Sequence, residues 1–172
     1  MLERVLRFLC MLWVGVMAGF FFAFTVLVMP GLDATEPLAA MSAMQAINDA
    51  VRNALFAIGF FGAMVLCLAV ILVSLIRRGG SASWTALAGA VIYIVGVFGV
   101  TVGFNVPLNE TLATLDPTLP ENAPSMTAYI EDWSFWNNVR TLANVLAFGL
   151  LASSIAFGRD LETERSSSRE VR

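Results

Sequence analysis

Four long apolar segments alternate with polar ones along the chain. They cover about residues 5–29, 54–76, 84–104 and 139–157. Each approaches or exceeds the roughly 20 apolar residues that a membrane-spanning helix needs. Residues 35–53 mix polar and apolar positions, which predicts a further helix outside the membrane, capped by Thr35 and starting near Pro37. The pattern predicts an all-α integral membrane four-helix bundle with an extra-membrane helical segment and a loop on the outer side.

Breaks between the apolar segments set the expected boundaries. Pro30-Gly31 is expected to stop the first span, and Pro107 to kink or end the third. Residues 108–132 are polar and turn-rich, and residues 159–172 form a charged, Ser-rich tail that we predict to be disordered. The membrane domain is therefore predicted to be residues 1–158.

The arginines predict the orientation of the chain. Eight of them fall on one predicted side: Arg4, Arg7, Arg77, Arg78, Arg159, Arg165, Arg169 and Arg172. Only Arg52 and Arg140 fall toward the other side, which carries eight acidic residues. Because positive residues stay inside, we predict a multi-pass protein of the plasma (inner) membrane with both termini cytoplasmic.

Composition supports a lipid environment and excludes several kinds of site. The chain is 58% hydrophobic and only 13% charged, with a net charge of −3 and no His. The negative charge argues against a nucleic-acid partner. No metal site is predicted, because the commonest metal ligand is missing. Cys10 and Cys67 lie in apolar runs, where packed side chains are favoured over a redox pair.

Small residues recur one turn apart in two spans. Gly15, Gly19 and Ala23 share a face of the first span, and Gly99 and Gly103 share one in the third. This spacing lets helix backbones approach closely. Packing within one bundle is the favoured interpretation, and a homo-oligomer is the alternative.

Polar side chains at the outer ends of the spans fall into three helical stripes. The stripes are Gln45, Asn48 and Arg52; Asn105 and Asn109; and Trp133, Asn137, Arg140 and Asn144, with Trp136 beside the last. Polar groups at membrane depth need partners or water, so these faces are expected to turn toward one another. Any one of them can simply hold the bundle together. As a group they predict a polar pocket.

Such a pocket suits a planar apolar molecule with carbonyl or phenol oxygens, or another lipid-like molecule, that arrives through the bilayer. Its arginines and asparagines would stabilise a developing enolate or phenolate. A catalytic base would have to be a carboxylate such as Glu110 or Asp132, or be absent.

Three sequence pieces resemble the anthrone oxygenase-like family of small membrane proteins. They are Met44-Gln45-Ala46-Ile47-Asn48, then Asn105-Val106-Pro107-Leu108-Asn109, then Trp133 with Trp136-Asn137-Asn138-Val139-Arg140-Thr141. The resemblance covers roughly residues 13–157 and implies a four-helix membrane bundle. The characterised fungal branch oxidises anthrones to anthraquinones with molecular oxygen, without metal or flavin. The resemblance therefore implies a cofactor-independent oxygenase of anthrone-like polycyclic phenols.

The resemblance and the spacing together give the expected roles. Arg140, Asn137, Asn105 and Asn109 are the predicted catalytic residues. The predicted substrate-binding residues are Gln45, Asn48, Arg52, Trp133, Trp136 and Asn144, of which Arg52 and Asn144 rest on spacing alone. The sequence leaves open whether the protein is an enzyme. A non-catalytic quinone- or lipid-binding protein and a structural partner subunit are the alternatives.

Overall fold

The structure, a computed structural model, describes residues 1–77 and 80–170, with side chains described as far as Ala156. The helices are α1 Leu2–Asp33, α2 Pro37–Ala50, α3 Ala54–Arg77, α4 Ser81–Ala113 and α5 Ala123–Glu170. A short 3-10 turn, Pro120–Asn122, precedes α5. The described residues contain no strand, so the predicted all-α fold class is confirmed.

Within the described residues, four helices are long and apolar enough to cross a membrane. They are α1, α3, α4 and the segment Pro120–Ala156, which contains most of α5. Each packs against two neighbours, so that α1, α3, α4 and α5 form a closed ring in that order. Their inward faces share one apolar core that includes Phe21, Phe60 and Tyr93. Cys10 and Cys67 lie buried in it with their sulfurs 3.5 Å apart.

Two helices continue through prolines that were expected to end or kink them. In α1 a π-helical turn, Phe24–Val28, comes just before Pro30, and in α4 a π-helical turn, Thr101–Asn105, comes just before Pro107. Proline lacks an N–H and clashes with the carbonyl four residues earlier in a regular α-helix. In the π turns the backbone pairing shifts by one residue: Met29 N–H binds Phe24 O and Val106 N–H binds Thr101 O, each five residues earlier. Both spans are therefore longer than predicted.

The predicted loop over residues 108–132 is also shorter in the structure. Helix α4 extends to Ala113 and α5 begins at Ala123, so only residues 114–122 lie between these two helices. Pro120 and Pro124 stand in first turns, where proline is well tolerated because the N–H would have no partner there. In the short loop, hydrogen bonds from the Thr118 hydroxyl and backbone N–H to the carboxylate of Asp116 lower its pKa.

Helix α2 lies across the end of the bundle where α1 and α4 finish, which we call the α2 end. It packs against α5 and the last turns of α1 and α4. Met41, Met44, Leu112 and Met126 form a second apolar core there. The N-cap of helix α2 is Glu36, whose carboxylate accepts hydrogen bonds from Leu38 N at 3.1 Å and Ala39 N at 3.0 Å. The expected cap, Thr35, instead donates to Gly31 O.

The opposite end of the bundle gathers basic residues. Glu3 pairs with Arg77 at 3.1 Å and with Arg7 at 3.5 Å, so the start of α1 and the end of α3 lie together. This grouping agrees with the charge pattern, and which side of a membrane it faces stays a prediction. Residues 159–170 continue helix α5, and their side chains lie outside those described. The disorder expected for the tail, residues 159–172, stays a prediction.

The small residues divide between the inside and the outside of the bundle. A Cβ added at Gly15 would meet the Phe148 ring at 3.0 Å, and one at Gly96 would meet the Cβ of Ala143 at 2.6 Å. These two glycines let α1 and α4 approach α5. A Cβ at Gly19 or Gly103 would meet nothing within 4 Å, and the homo-oligomer stays a prediction.

Candidate functional site

Arg140 occupies the interior of the bundle near the α2 end. It is 4% exposed, and its guanidinium carbon lies 4.4 Å from the centre of the Phe21 ring and 5.0 Å from that of Trp133. One terminal nitrogen donates to Asn137 Oδ1 at 2.9 Å and the other to Thr101 Oγ1 at 3.2 Å. The cation is thus held between two aromatic faces and two neutral acceptors.

No acid neutralises this cation among the described side chains. Their ion pairs involve other arginines, and no carboxylate lies within the 4.0 Å of an ion pair with Arg140. A charged side chain within a spanning helix is costly, by about 2.5–3.5 kcal/mol on insertion scales. Such residues generally face a partner or a cavity and mark functional sites. The burial of Arg140 without a counter-ion among the described side chains therefore points to an anionic partner.

Two polar atoms at this position have no hydrogen-bond partner within the described part of the chain. They are Arg140 Nε, a donor, and Asn105 Oδ1, an acceptor. Asn105 is 1% exposed, and its amide nitrogen donates to Trp133 O at 3.2 Å. Buried polar groups nearly always have a partner, which includes water or a ligand. The predicted catalytic residues Arg140 and Asn105 therefore each keep an atom free for a small polar group.

Asn137 links Arg140 to α1. Its amide nitrogen donates to Phe21 O at 3.1 Å and to Thr25 Oγ1 at 2.9 Å. Thr25 in turn lies 3.0 Å from Asn138 Oδ1 and 3.2 Å from Thr141 Oγ1. Asn137 is fully buried, so this chain of hydrogen bonds fixes the orientation of the amide that receives the guanidinium.

A second polar layer lies beside this one, toward α2. Asn109 Oδ1 accepts from the Tyr129 hydroxyl and from Trp133 Nε1, both at 2.8 Å. Asn48 lies near the Tyr129 hydroxyl. Asn105 and Asn109 both face α5, as expected if the helix continues through Pro107. Trp133 connects the layers, because its ring covers Arg140 and its N–H binds Asn109.

Gln45 binds the backbone at the end of α4. Its amide nitrogen donates to Leu112 O at 2.9 Å and to Leu115 O at 2.8 Å. These carbonyls belong to the last turn of α4 and the start of the loop, where the helix leaves acceptors without partners. Gln45 therefore ties α2 to the end of α4.

The structure does not bring three predicted binding residues, Arg52, Trp136 and Asn144, to this cluster. The Arg52 side chain is 65% exposed and pairs with Asp49 at 3.7 Å. Trp136 stacks on Phe104, with ring centres 3.5 Å apart, on another side of α5. Asn144, with its amide oriented to satisfy both atoms, binds the α1 backbone at Val14 O (3.0 Å) and Ala18 N (3.2 Å).

The two carboxylates considered as bases also lie elsewhere. Glu110 and Asp132 are both exposed, and Asp132 lines a shallow depression beside Trp136. Conversely, sequence reasoning missed Thr25, Thr101 and Phe21. The two threonines stand in apolar runs, where a polar residue within a span signals a partner on another helix.

Comparison with known proteins bears on what such a site is for. Residues 53–150, more than half of the chain, match the family described as anthrone oxygenase. The matched range includes the Asn105–Asn109 and Trp133–Thr141 motifs, and the Met44–Asn48 piece precedes it. This match confirms the family resemblance. No curated protein and no solved structure matches the chain.

Proposed function

We propose that this chain, which belongs to the anthrone oxygenase family, is a membrane oxygenase of anthrone-like polycyclic phenols. The observation that carries the proposal is the buried guanidinium of Arg140, which has aromatic faces around it, a free Nε–H and no described carboxylate beside it. A planar enolate or phenolate supplies the missing negative charge and packs against aromatic rings.

The proposed reaction uses this charge directly. Loss of a proton from the anthrone methylene gives an enolate, whose negative charge rests largely on the oxygen of the former ketone. The positive charge of Arg140 and its free Nε–H stabilise that oxygen. Molecular oxygen then oxidises the carbanion carbon: one oxygen atom becomes the new carbonyl and the other leaves as water with the two methylene hydrogens. The products are one quinone and one water for each anthrone and each oxygen molecule.

The proton acceptor is proposed to be solvent base rather than a side chain. Glu110 and Asp132 are exposed, and no described carboxylate contacts Arg140. The protein then binds and stabilises the enolate that solvent base generates. Oxygen uptake is accordingly expected to rise with pH until the bound substrate is fully ionised. A general base within the chain would instead make the rate level off at the pKa of that group.

A non-catalytic quinone-binding protein is the second candidate. The absence of a base beside Arg140 in the described residues favours it, because binding needs the cation and the rings but no proton transfer. The two candidates share the site and differ in whether oxygen is consumed.

Location and partners are part of the proposal. We place the protein in the plasma (inner) membrane with both termini cytoplasmic, supported by the grouping of Arg7 and Arg77 at the end opposite α2. The substrate is then a small aromatic molecule that reaches the site from the bilayer.

Oxygen uptake by the purified protein in mild detergent tests the proposal. An anthrone is supplied as substrate, and the wild type is compared with Arg140→Met and with Arg52→Gln. Wild type and Arg52→Gln should accelerate uptake above buffer, and Arg140→Met should not. Tight binding of an anthraquinone with no acceleration would favour the binding protein. Equal acceleration by Arg140→Met would refute the proposed site.

A further inference from the structure

A groove of about 610 Å³ follows the seam between α1 and α5 near the α2 end. The α1 side contributes Thr25, Pro30 and Asp33, and the α5 side includes Glu131 and Ser134. Its volume falls within the range of about 300–1,000 Å³ that is usual for small-molecule sites. The groove is thus large enough for a fused-ring molecule.

The α5 side of the groove is a single helical stripe. Thr127, Glu131, Ser134 and Asn138 follow one another at spacings of three or four residues. From Thr127 to Asn138 the helix rises by about 16 Å, at roughly 1.5 Å per residue. Phe135 adds an aromatic wall. A flat aromatic molecule can therefore lie along the stripe with polar groups beneath it.

The inner end of the groove reaches the Arg140 cluster, which consists of Arg140 and the side chains that contact its guanidinium: Phe21, Thr101, Trp133 and Asn137. Thr25 and Asn138 line the groove, and Thr25 Oγ1 accepts from Asn137 Nδ2 at 2.9 Å. Asn137 Oδ1 then accepts from Arg140 at 2.9 Å. Two hydrogen bonds therefore separate a groove-lining side chain from the buried guanidinium.

We propose that this groove is the docking site for the neutral, hydroxylated form of the substrate, and that Thr25 separates it from the Arg140 cluster. This inference rests on the proposed function. The carboxylates of Asp33 and Glu131 accept hydrogen bonds from phenolic hydroxyls and repel an anion. Arg140, in contrast, attracts the anion. The groove thus selects the neutral phenol, and the cluster receives it as it ionises.

This assignment gives the groove a role in specificity. A polycyclic ketone without hydroxyls satisfies the apolar wall but leaves both carboxylates without a donor. A hydroxylated one supplies those donors. Glu131→Gln keeps the size of the side chain and can still accept a hydrogen bond, but it removes the charge, so it should reduce the preference for hydroxylated ligands.

Protection of an introduced thiol tests the assignment. Ser134→Cys places a thiol in the groove, and Ala128→Cys places one on an exposed position of α5 that does not line it. Cys10 and Cys67 are fully buried, so wild type provides the labelling background. The labelling rate with a maleimide is measured with and without a dihydroxyanthraquinone, with the unsubstituted anthraquinone, and with added phospholipid.

At a dihydroxyanthraquinone concentration of about ten times its dissociation constant, labelling of Ser134→Cys should slow about tenfold. Ala128→Cys should not change, and the unsubstituted anthraquinone should protect less. Where Ser134→Cys fails to fold, the ligand preference of Glu131→Gln gives the same test. Protection without oxygen uptake would keep the groove and refute the oxygenase. Oxygen uptake without protection, or equal protection by phospholipid, would overturn the groove assignment.

Discussion

Replacing Arg140 by Met separates function from stability. The substitution keeps an unbranched side chain of similar length between Phe21 and Trp133, and it removes the buried charge. If Arg140 binds a ligand, the burial of its charge destabilises the bundle as long as no ligand is bound. Its removal should then abolish activity and leave the fold nearly unchanged in stability.

The structure gives the size of the opposing terms. Relief of the guanidinium's burial is worth about 2.5–3.5 kcal/mol on insertion scales. Against it, the Oδ1 of Asn137 loses its bond to Arg140, which costs about 1–3 kcal/mol for a buried unpaired acceptor. Loss of the two ring contacts costs about 0.5–2 kcal/mol, part of which a methionine sulfur restores. These terms cancel to within about 2 kcal/mol.

Unfolding in mixed micelles, followed by circular dichroism as the denaturing detergent increases, measures the free energy. Oxygen uptake with an anthrone is measured on the same samples. The matched control is Asn144→Leu, one helical turn from Arg140, where a buried amide binds the α1 backbone. It should cost about 1–3 kcal/mol and keep its activity per folded molecule.

The opposite pattern would refute the reasoning. If Arg140→Met lost more than about 3 kcal/mol, as for a broken buried charge network, and folded molecules kept full activity, Arg140 would be a packing residue of the bundle. The burial of a charge without a described counter-ion would then need another explanation.

Three further changes test other parts of the structure. Thr25→Val removes the hydroxyl bound to Asn137 and should slow oxygen uptake at least about tenfold, as for other groups that position a reacting centre. Thr25→Ser keeps the hydroxyl and should retain the wild-type rate. Equal rates for the two variants would contradict a positioning role for Thr25. In Gly89→Ala the new Cβ would meet Ala147 O at 3.0 Å, so this variant should lose about 1–3 kcal/mol of unfolding free energy. Gly149→Ala adds a Cβ in open space and should not destabilise the bundle. Gln45→Met should free the end of α4 and speed proteolysis of the adjoining loop; unchanged cleavage would show that α2 is held by other contacts.

The fold was predictable because its strongest signals are long and redundant. Each apolar run is long enough to span a bilayer, and the charge pattern agrees with the hydropathy. The ends of the helices were not predictable, because prolines such as Pro30 and Pro107 normally kink or end a helix. The structure places a π turn ahead of each, and neither turn has a hydropathy signal.

The candidate site was predictable where its residues share one continuous helix. Asn137 and Arg140 on α5, and Asn105 and Asn109 on α4, converge as their spacing indicates. Arg52 does not join them because α2 ends at Ala50, so a helical spacing from Gln45 does not extend that far.

The remaining failures have equally local causes. Trp136 lies about 60° around the helix from Trp133, at roughly 100° per residue, and therefore turns to Phe104 on α4. Asn144 shares the face of Arg140 but lies one turn deeper, where the α1 backbone is its nearest partner. Spacing along one helix does not reveal what the facing helix offers at each depth.

The π turns give a last prediction, because Thr25 and Thr101, which bind Asn137 and Arg140, stand in them. Thr25 belongs to Phe24–Val28 and Thr101 to Thr101–Asn105, and such turns in helices often occur at functional sites. If Pro107 imposes the second turn, Pro107→Ala restores the missing N–H and allows a regular α-helix. Regular winding rotates Thr101 and Asn105 away from Arg140 and Trp133.

Pro107→Ala should therefore leave the bundle at least as stable as wild type, because alanine is the better helix former, and it should lower oxygen uptake. Pro117→Ala, in the loop between α4 and α5, is the matched control and should keep full activity. The unfolding and oxygen assays described above measure both. Full activity in Pro107→Ala would show that the packing of α5 against α4, rather than the proline, maintains the π turn.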